Sequence, residues 1–247
     1  MSATAVRVSP EWLRLREPAD AAARSEDLAG RLRRHLGPGR LVIHDLGGGS
    51  GAMGRWLAPR LPGPQRWVVH DRDPELLQIA AAGFETRRSD VTRLAPDDLA
   101  GASLVTASAL LDLLTREELD RMLAACAGLP LLLALTVTGH VALSPPDPLD
   151  RRLAAAFNDH QRRDGRLGPD AVAAAVDVAG GVVRPSPWRL DAAHGELMAE
   201  WLRGWVAAAC EQEPALDDGE YLERRLAQAA SGELRVTVDH ADLLVLP

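Results

Sequence analysis

The chain contains no lysine, and all 28 of its basic side chains are arginines. Schiff-base catalysis through a lysine amine is therefore excluded, as is a Walker-type phosphate loop, which needs its lysine. Cysteine is almost as scarce. Cys126 and Cys210 stand far apart at no ligand spacing, which points to a reduced pair rather than a disulfide or a zinc site. Long apolar runs are missing too: the longest, Leu129–Val137, has the length of a buried strand, not of a bilayer span. The opening MSATAVRVSPEW lacks the basic-then-apolar layout of an export signal, so a cytoplasmic location is expected. Positive charge is not in excess. A net charge of -7 offers no field for gripping a phosphate backbone, and neither nucleic acid nor a membrane is an expected partner. The arginines are still numerous enough for a local basic groove. No internal repeat or low-complexity tail is present.

What the sequence does have is apolar material, 47% over 247 residues, enough for one large α/β domain or a core domain with a small lid. Ser9-Pro10-Glu11 reads as a helix start, with a cap, a proline in the first turn and an early acid. That helical segment, broken or not, stops at Gly37-Pro38-Gly39. Strand-like runs follow at Leu41–His44, Trp67–His70, Thr86–Arg88, Leu104–Ala107 and Leu131–Val137. Helix signals lie between them at Gly51–Leu61, at Asp73-Pro74 onward to Ala82, and at the Thr115–Glu118 capping box. Such alternation predicts a parallel sheet with helices on both faces. After a Pro-rich loop at Ser144–Pro148, helices are expected over Leu149–Arg163 and Pro169–Ala179, and a sixth strand over Val182–Leu190. A helical insertion is expected over Ala192–Ala230, split near Pro214–Gly219, with a last strand from Leu234.

The strongest motif is Ile43-His44-Asp45-Leu46-Gly47-Gly48-Gly49-Ser50-Gly51, between the first strand and a helix. Glycines there let the backbone turn tightly and press against a ligand that a side chain would exclude. The helix N-terminus behind them presents free N–H groups. Two frames fit. Gly49-Ser-Gly51-Ala-Met-Gly54 matches the GxGxxG of dinucleotide sites, but it begins late, behind Asp45-Leu46-Gly47. The other frame, Asp45-x-Gly47-x-Gly49-x-Gly51, resembles motif I of class I S-adenosylmethionine-dependent methyltransferases. Asp71, at the tip of the second strand, suits both frames, because an acid there can accept hydrogen bonds from ribose hydroxyls. The run Asp71-Arg72-Asp73-Pro74-x-x-Leu77 resembles motif II of the methyltransferases.

Several assignments follow from that resemblance. It implies a seven-stranded Rossmann-like sheet, with residues 1–39 as an N-terminal helical cover and 40–247 as the methyltransferase domain. Helical insertions would lie at about 144–167 and 192–231. It implies S-adenosylmethionine as cofactor, held by Asp45, Leu46, Gly47, Gly48, Gly49, Gly51, Asp71 and Arg72. In such enzymes an acid at the end of the third strand binds the adenine amino group and the next N–H reaches a ring nitrogen, roles that fall here to Asp90 and Val91. Alone, Asp90 also suits a helix cap. Leu104–Leu114 resembles motif IV, with Ser108 flanking the cofactor. Asp112 stands where relatives often carry histidine, and reads as a general base or as a helix cap. Ser103 opens this strand where an acid is more usual.

Four readings concern residues outside these motifs. Phe157-Asn158-Asp159-His160-Gln161 holds the only asparagine of the chain. His160 is a candidate to take the acceptor's proton, with Asn158 or Gln161 orienting the acceptor, against the plainer reading of a solvated helix face. No second histidine falls at helical spacing, so no metal is expected. Arg16, Asp20 and Arg24 share one face of the first helix, as a surface ladder or, more sharply, as a cover in which Arg24 pairs the cofactor's carboxylate. Trp201 and Trp205, one turn apart, read as core or lid packing. The expected function is methyl transfer to a small, partly apolar acceptor at an oxygen or nitrogen, in a pocket shaped by the first helix and the two insertions. The oligomeric state is open. The rivals are an NAD(P)-dependent oxidoreductase using Gly49–Gly54, and a protein that binds S-adenosylmethionine without transferring methyl.

Overall fold

Ser9 accepts a hydrogen bond from the Trp12 N–H and opens α1 (Pro10–Ala23), with Pro10 at its first position. The helix breaks at Arg24 and resumes as α2 (Glu26–Leu36), where Ser25 caps the N-terminus and Gly37, at φ 64°, ends it. The structure, a computed structural model, describes residues 8–216 and 219–247. Positions 1–7 of the expected cover, and 217 and 218 of the late insertion, lie outside the described residues.

The alternating part comprises β1 (Leu41–Leu46), α3 (Ala52–Leu57), β2 (Gln65–Asp71), α4 (Pro74–Ala80), β3 (Glu85–Arg88), β4 (Leu104–Ser108), α5 (Arg116–Ala125) and β5 (Leu131–Ser144). There follow α6 (Asp150–Gln161), α7 (Ala171–Ala179), β6 (Val182–Pro185), β7 (Trp188–Leu190), α8 (Gly195–Gln212), α9 (Glu220–Ala230) and β8 (Arg235–Val245). The capping box at α5 forms as the sequence predicts, with Thr115 Oγ1 accepting from the Glu118 N–H and Glu118 accepting from the Thr115 N–H.

The sheet runs in the order β3-β2-β1-β4-β5-β8-β6. The first five are parallel neighbours, while β8 lies antiparallel between β5 and β6. It is an α/β sheet of the Rossmann-like kind, with one strand more than expected. The eighth arises because Val182–Leu190 is not continuous. After Pro185 the Ser186 N–H donates to His240 O, and the chain re-enters the sheet as β7, which also pairs with β8. The other departure is β5, twice the expected length. Its second half forms a bulged antiparallel pair with β8, with register shifts at Leu133/Thr136 and Val137/Val141.

Alternation along the strands divides the core between two faces. Leu46, Val105, Ala107, Leu131 and Leu133 pack with α5 and α7, whereas Ile43, Leu104, Leu132 and Ala134 pack with α2 and α3. A third apolar cluster joins α6, α8 and α9 to β7 and β8, with Trp12 and Leu15 of α1 against it. Trp201 and Trp205 stack within it, ring centres 5.2 Å apart. Strand order reverses between β1 and β4, and ligand sites of open α/β sheets form outside the carboxyl ends at that point.

Candidate functional site

A cavity of about 580 Å³ opens at this reversal. Gly47, Gly48 and Gly49 form its floor after β1; Asp71 and Arg72 enter from β2, Ser89, Asp90 and Val91 from β3, and Ser108 from β4. Leu13, Arg16, Asp20 and Arg24 of the N-terminal helical segment close it from the other side.

The glycine turn is held by the neighbouring strand. The Gly48 N–H donates to His70 O at 3.0 Å, and the Gly49 N–H donates to Asp71 Oδ2 at 2.9 Å. Asp71 Oδ1 accepts from the Asp73 N–H at 2.9 Å, so this carboxylate fixes the loops after β1 and β2 at once. Each of its oxygens retains acceptor capacity for a further donor. Gly48 has no room for a side chain, because a Cβ there would collide with the Asp45 carboxylate and with Val69. Gly51 and Gly54 serve otherwise: a Cβ at either would meet the Phe84 ring at 2.8 Å, and neither lines the cavity.

Three of the expected cofactor residues do not line the cavity. Asp45 is fully buried beneath the glycine turn, where Oδ1 accepts from Thr106 Oγ1 at 2.7 Å and Oδ2 has no partner. The strand runs on through Leu46, so Asp45 stays within the sheet instead of reaching its tip. Burial pushes its carboxyl up to about 7, against the opposing pull of the Thr106 hydrogen bond and the Arg24 charge. Leu46 is a core residue. Gly51, at φ 84°, shapes the start of α3 and its contact with Phe84. Asp90 is a cap on the cavity wall. Its Oδ1 accepts from the Thr92 N–H and Oγ1, capping the turn at Val91–Arg93, and the residue lines the cavity.

The face of α1 carrying Arg16, Asp20 and Arg24 is buried rather than a surface ladder. Arg16 donates from Nε and Nη2 to the two Asp20 oxygens at 3.0 and 3.2 Å, and Trp188 Nε1 donates to Asp20 Oδ1 at 2.9 Å. Arg24 is 4% exposed. Its Nη2 donates to Ser108 Oγ at 3.2 Å and stands 4.0 Å from Asp20, while Nε and Nη1 have no partner. Burial lowers its pKa, because Asp20 is already engaged by Arg16 and only partly offsets the desolvation. Arg24 lines the cavity, but these two nitrogens are shut off from it, and the guanidinium carbon stands 5.6 Å from the centre of the Trp56 ring.

The expected acceptor residues are not brought to this cavity. His160 packs α6 against α8, with Nε2 3.3 Å from Glu211 Oε2, because the inward face of α6 turns toward α8 and not toward the β1–β4 reversal. Asn158 donates from Nδ2 to Gly139 O at 2.8 Å, tying α6 to the β5 bulge. Gln161 lies against Gly168, with Nε2 3.5 Å from His160 Nδ1. Asp112 is buried in the turn at Leu111–Leu113 with Oδ1 unpartnered. It does not line the cavity, although Leu110, Leu113 and Leu114 around it do. Burial raises its carboxyl, with the charges of Arg16 and Arg166 pulling the other way. None of α6, α8 or α9 contributes to the lining, and of the two insertions only the 144–167 segment reaches this pocket, beyond the end of α6. Sequence reasoning passed over Leu13, Glu118, Asp164 and Arg166, which do line it. Only the chain crossing from α6 back over Thr115 brings the last two there, and no local motif announces that crossing.

Among the described residues no cluster of three metal-ligating side chains occurs, and no helix is long and apolar enough to cross a membrane. No family model matches the chain, and no curated protein matches it. Solved structures of similar form do exist. The cyclopropane synthase MmaA2 of Mycobacterium tuberculosis is 14% identical over 95% of this chain and 94% of its own, with a TM-score of 0.47. Phosphoethanolamine N-methyltransferase 2 of Haemonchus contortus, solved with phosphomonomethylethanolamine and S-adenosylhomocysteine, is 13% identical over 90% of this chain, with a TM-score of 0.45. The match spans 53% of that enzyme's length. A geranyl diphosphate C-methyltransferase of Streptomyces coelicolor is 12% identical over 88% of this chain and 79% of its own, with a TM-score of 0.40.

Proposed function

We propose that the chain binds S-adenosylmethionine across the carboxyl ends of β1–β4 and transfers its methyl group to a small-molecule acceptor in the cytoplasm. The observation that carries this reading is the pairing of a glycine turn pinned by Asp71 with a buried Arg24 on the opposite wall of one cavity. An aminoacyl-bearing nucleoside has a group for each: ribose hydroxyls for the free acceptor capacity of Asp71, and a carboxylate for Arg24. Asp90 then accepts from the adenine amino group, and the Val91 N–H donates to a ring nitrogen. Gly47, Gly48 and Gly49 admit close approach, Arg72 borders the ribose end, and Ser108 flanks the reacting group while holding Arg24. Asp45 supports the turn from below. Residues 1–39 serve as the cover of the 40–247 domain, chiefly through α1, and the regions 144–167 and 192–231 buttress it.

The bound sulfonium supplies an electrophilic methyl group, so the protein's share is alignment and exclusion of water. Leu13, Leu110 and Leu113 form apolar walls for that purpose. The dinucleotide alternative is disfavoured by the packing of Gly51 and Gly54 on Phe84, away from any pyrophosphate in the cavity. Calorimetric titration with S-adenosylhomocysteine and with NAD tests the reading: binding of the first alone is expected, and binding of NAD alone refutes it. Incubation with labelled methyl donor and cell extract then separates a transferase, which passes on label, from a silent binding protein.

A further inference from the structure

His44 and His70 are buried side by side on β1 and β2, and the proposed function uses neither side chain. His44 Nδ1 lies 2.8 Å from His70 Nε2, and His70 Nδ1 lies 3.0 Å from Ser89 Oγ. The three side chains form one hydrogen-bonded line from inside the sheet to the cavity wall, where Ser89 stands beside Asp90. Ser89 is also held by its backbone, since its N–H donates to Asp71 O at 2.9 Å.

Burial keeps both rings neutral near pH 7. His70 is pushed down to about 4 by burial, then by His44 and Arg87; His44 is lowered by burial, then by Arg87 and Arg66. A neutral imidazole carries one N–H, so the line has only two arrangements. In the first, the Ser89 hydroxyl donates to His70 Nδ1 and the His70 Nε2–H donates to His44 Nδ1. In the second, the His44 Nδ1–H donates to His70 Nε2 and the His70 Nδ1–H donates to Ser89 Oγ, leaving the hydroxyl hydrogen to face the cavity. The wall around Ser89 carries the carboxylates of Asp71 and Asp90. Their field attracts a hydrogen and repels a lone pair, which favours the second arrangement.

We propose that Ser89 is a further ligand-binding residue, a hydrogen-bond donor to a purine base, with its hydroxyl turned toward the cavity by the His70–His44 pair. This rests on the adenosyl reading above. Asp90 accepts and Ser89 donates, and the two together complement the edge of adenine where the 6-amino group neighbours ring nitrogen N7. His70 and His44 are positioning residues.

The test compares S-adenosylhomocysteine with its 7-deaza counterpart, which lacks the N7 acceptor, by calorimetry. Wild type is expected to prefer the parent compound by about five- to tenfold, the worth of one hydrogen bond. Ser89→Ala and His44→Phe are expected to bind both compounds alike, the second because His70 is then free to change tautomer. In ¹⁵N spectra of the wild-type protein both rings are expected to carry their proton on Nδ1, a readout that needs no variant to fold. The proposal is overturned if wild type binds both compounds equally, if Ser89→Ala keeps the preference, or if His70 is protonated on Nε2. A wild-type protein that binds neither compound overturns the adenosyl reading itself, so the two failures are distinct.

Discussion

Replacing Asp45 with asparagine isolates the cost of keeping a carboxylate under the glycine turn. Asparagine matches the shape and preserves an oxygen for the Thr106 hydroxyl, but it cannot ionise. In the folded protein the Asp45 carboxyl is raised from 3.8 to about 7. Roughly three pH units at about 1.4 kcal/mol each give ~4 kcal/mol of destabilisation once the group is fully ionised. The sign follows from proton counting. Between 3.8 and about 7 the folded state keeps a proton that the unfolded chain has released, so this contribution to stability falls as pH rises through that window and levels off above it. The Asp45→Asn protein has no such slope. Urea titrations of both proteins, run in parallel from pH 5 to pH 8, should show the variant gaining on wild type by ~2–3 kcal/mol across the range. The comparison cancels every other titrating group. A gap that stays constant with pH would show that Asp45 titrates normally, and the account of its burial would fall.

Arg24→Met should weaken S-adenosylhomocysteine binding by ~2 kcal/mol in calorimetry, about 30-fold, if its guanidinium receives a carboxylate. Gly48→Ala should cost more than ~2 kcal/mol in urea unfolding, since its Cβ meets the buried side chains of Asp45 and Val69, whereas Gly128→Ala, with open space around it and φ 78°, should cost only ~1 kcal/mol. His160→Ala should leave cofactor affinity unchanged, because the side chain faces Glu211 instead of the cavity. His240 is buried with Nδ1 unpartnered and lowered to about 4, so the unfolded chain takes up its proton first on acidification. Stability should therefore drop by up to ~3 kcal/mol between pH 6.5 and pH 4, a slope that His240→Gln removes.

The alternating half of the fold was legible because its signals are local. Each turn residue, from Ser9 to the Thr115–Glu118 box, acts within one helical turn of itself. The glycine turn, Asp71 and Asp90 were legible for the same reason: a strand tip positions whatever residue ends it. The burial of Asp45 was not legible, because one more residue of pairing, Leu46 with His70, keeps it inside the sheet. His160, Asn158 and Gln161 misled because proximity in a motif does not say which way a helix rolls, and α6 rolls toward α8. The His44–His70–Ser89 line needs the register of three adjacent strands, which no single segment encodes.

Asp242 on β8 accepts hydrogen bonds from the Ser25 N–H at 2.7 Å, from the Leu135 N–H at 2.8 Å and from Ser186 Oγ at 2.6 Å. Ser25 marks the corner where α1 gives way to α2, immediately after Arg24, and 217 positions separate it from this carboxylate. On a translating ribosome this anchor of the corner is thus missing until β8 is added, long after the glycine turn has emerged. A nascent chain carrying β1 to β5 already holds Ser108, the partner of Arg24, but still lacks the carboxylate that fixes the corner beside it.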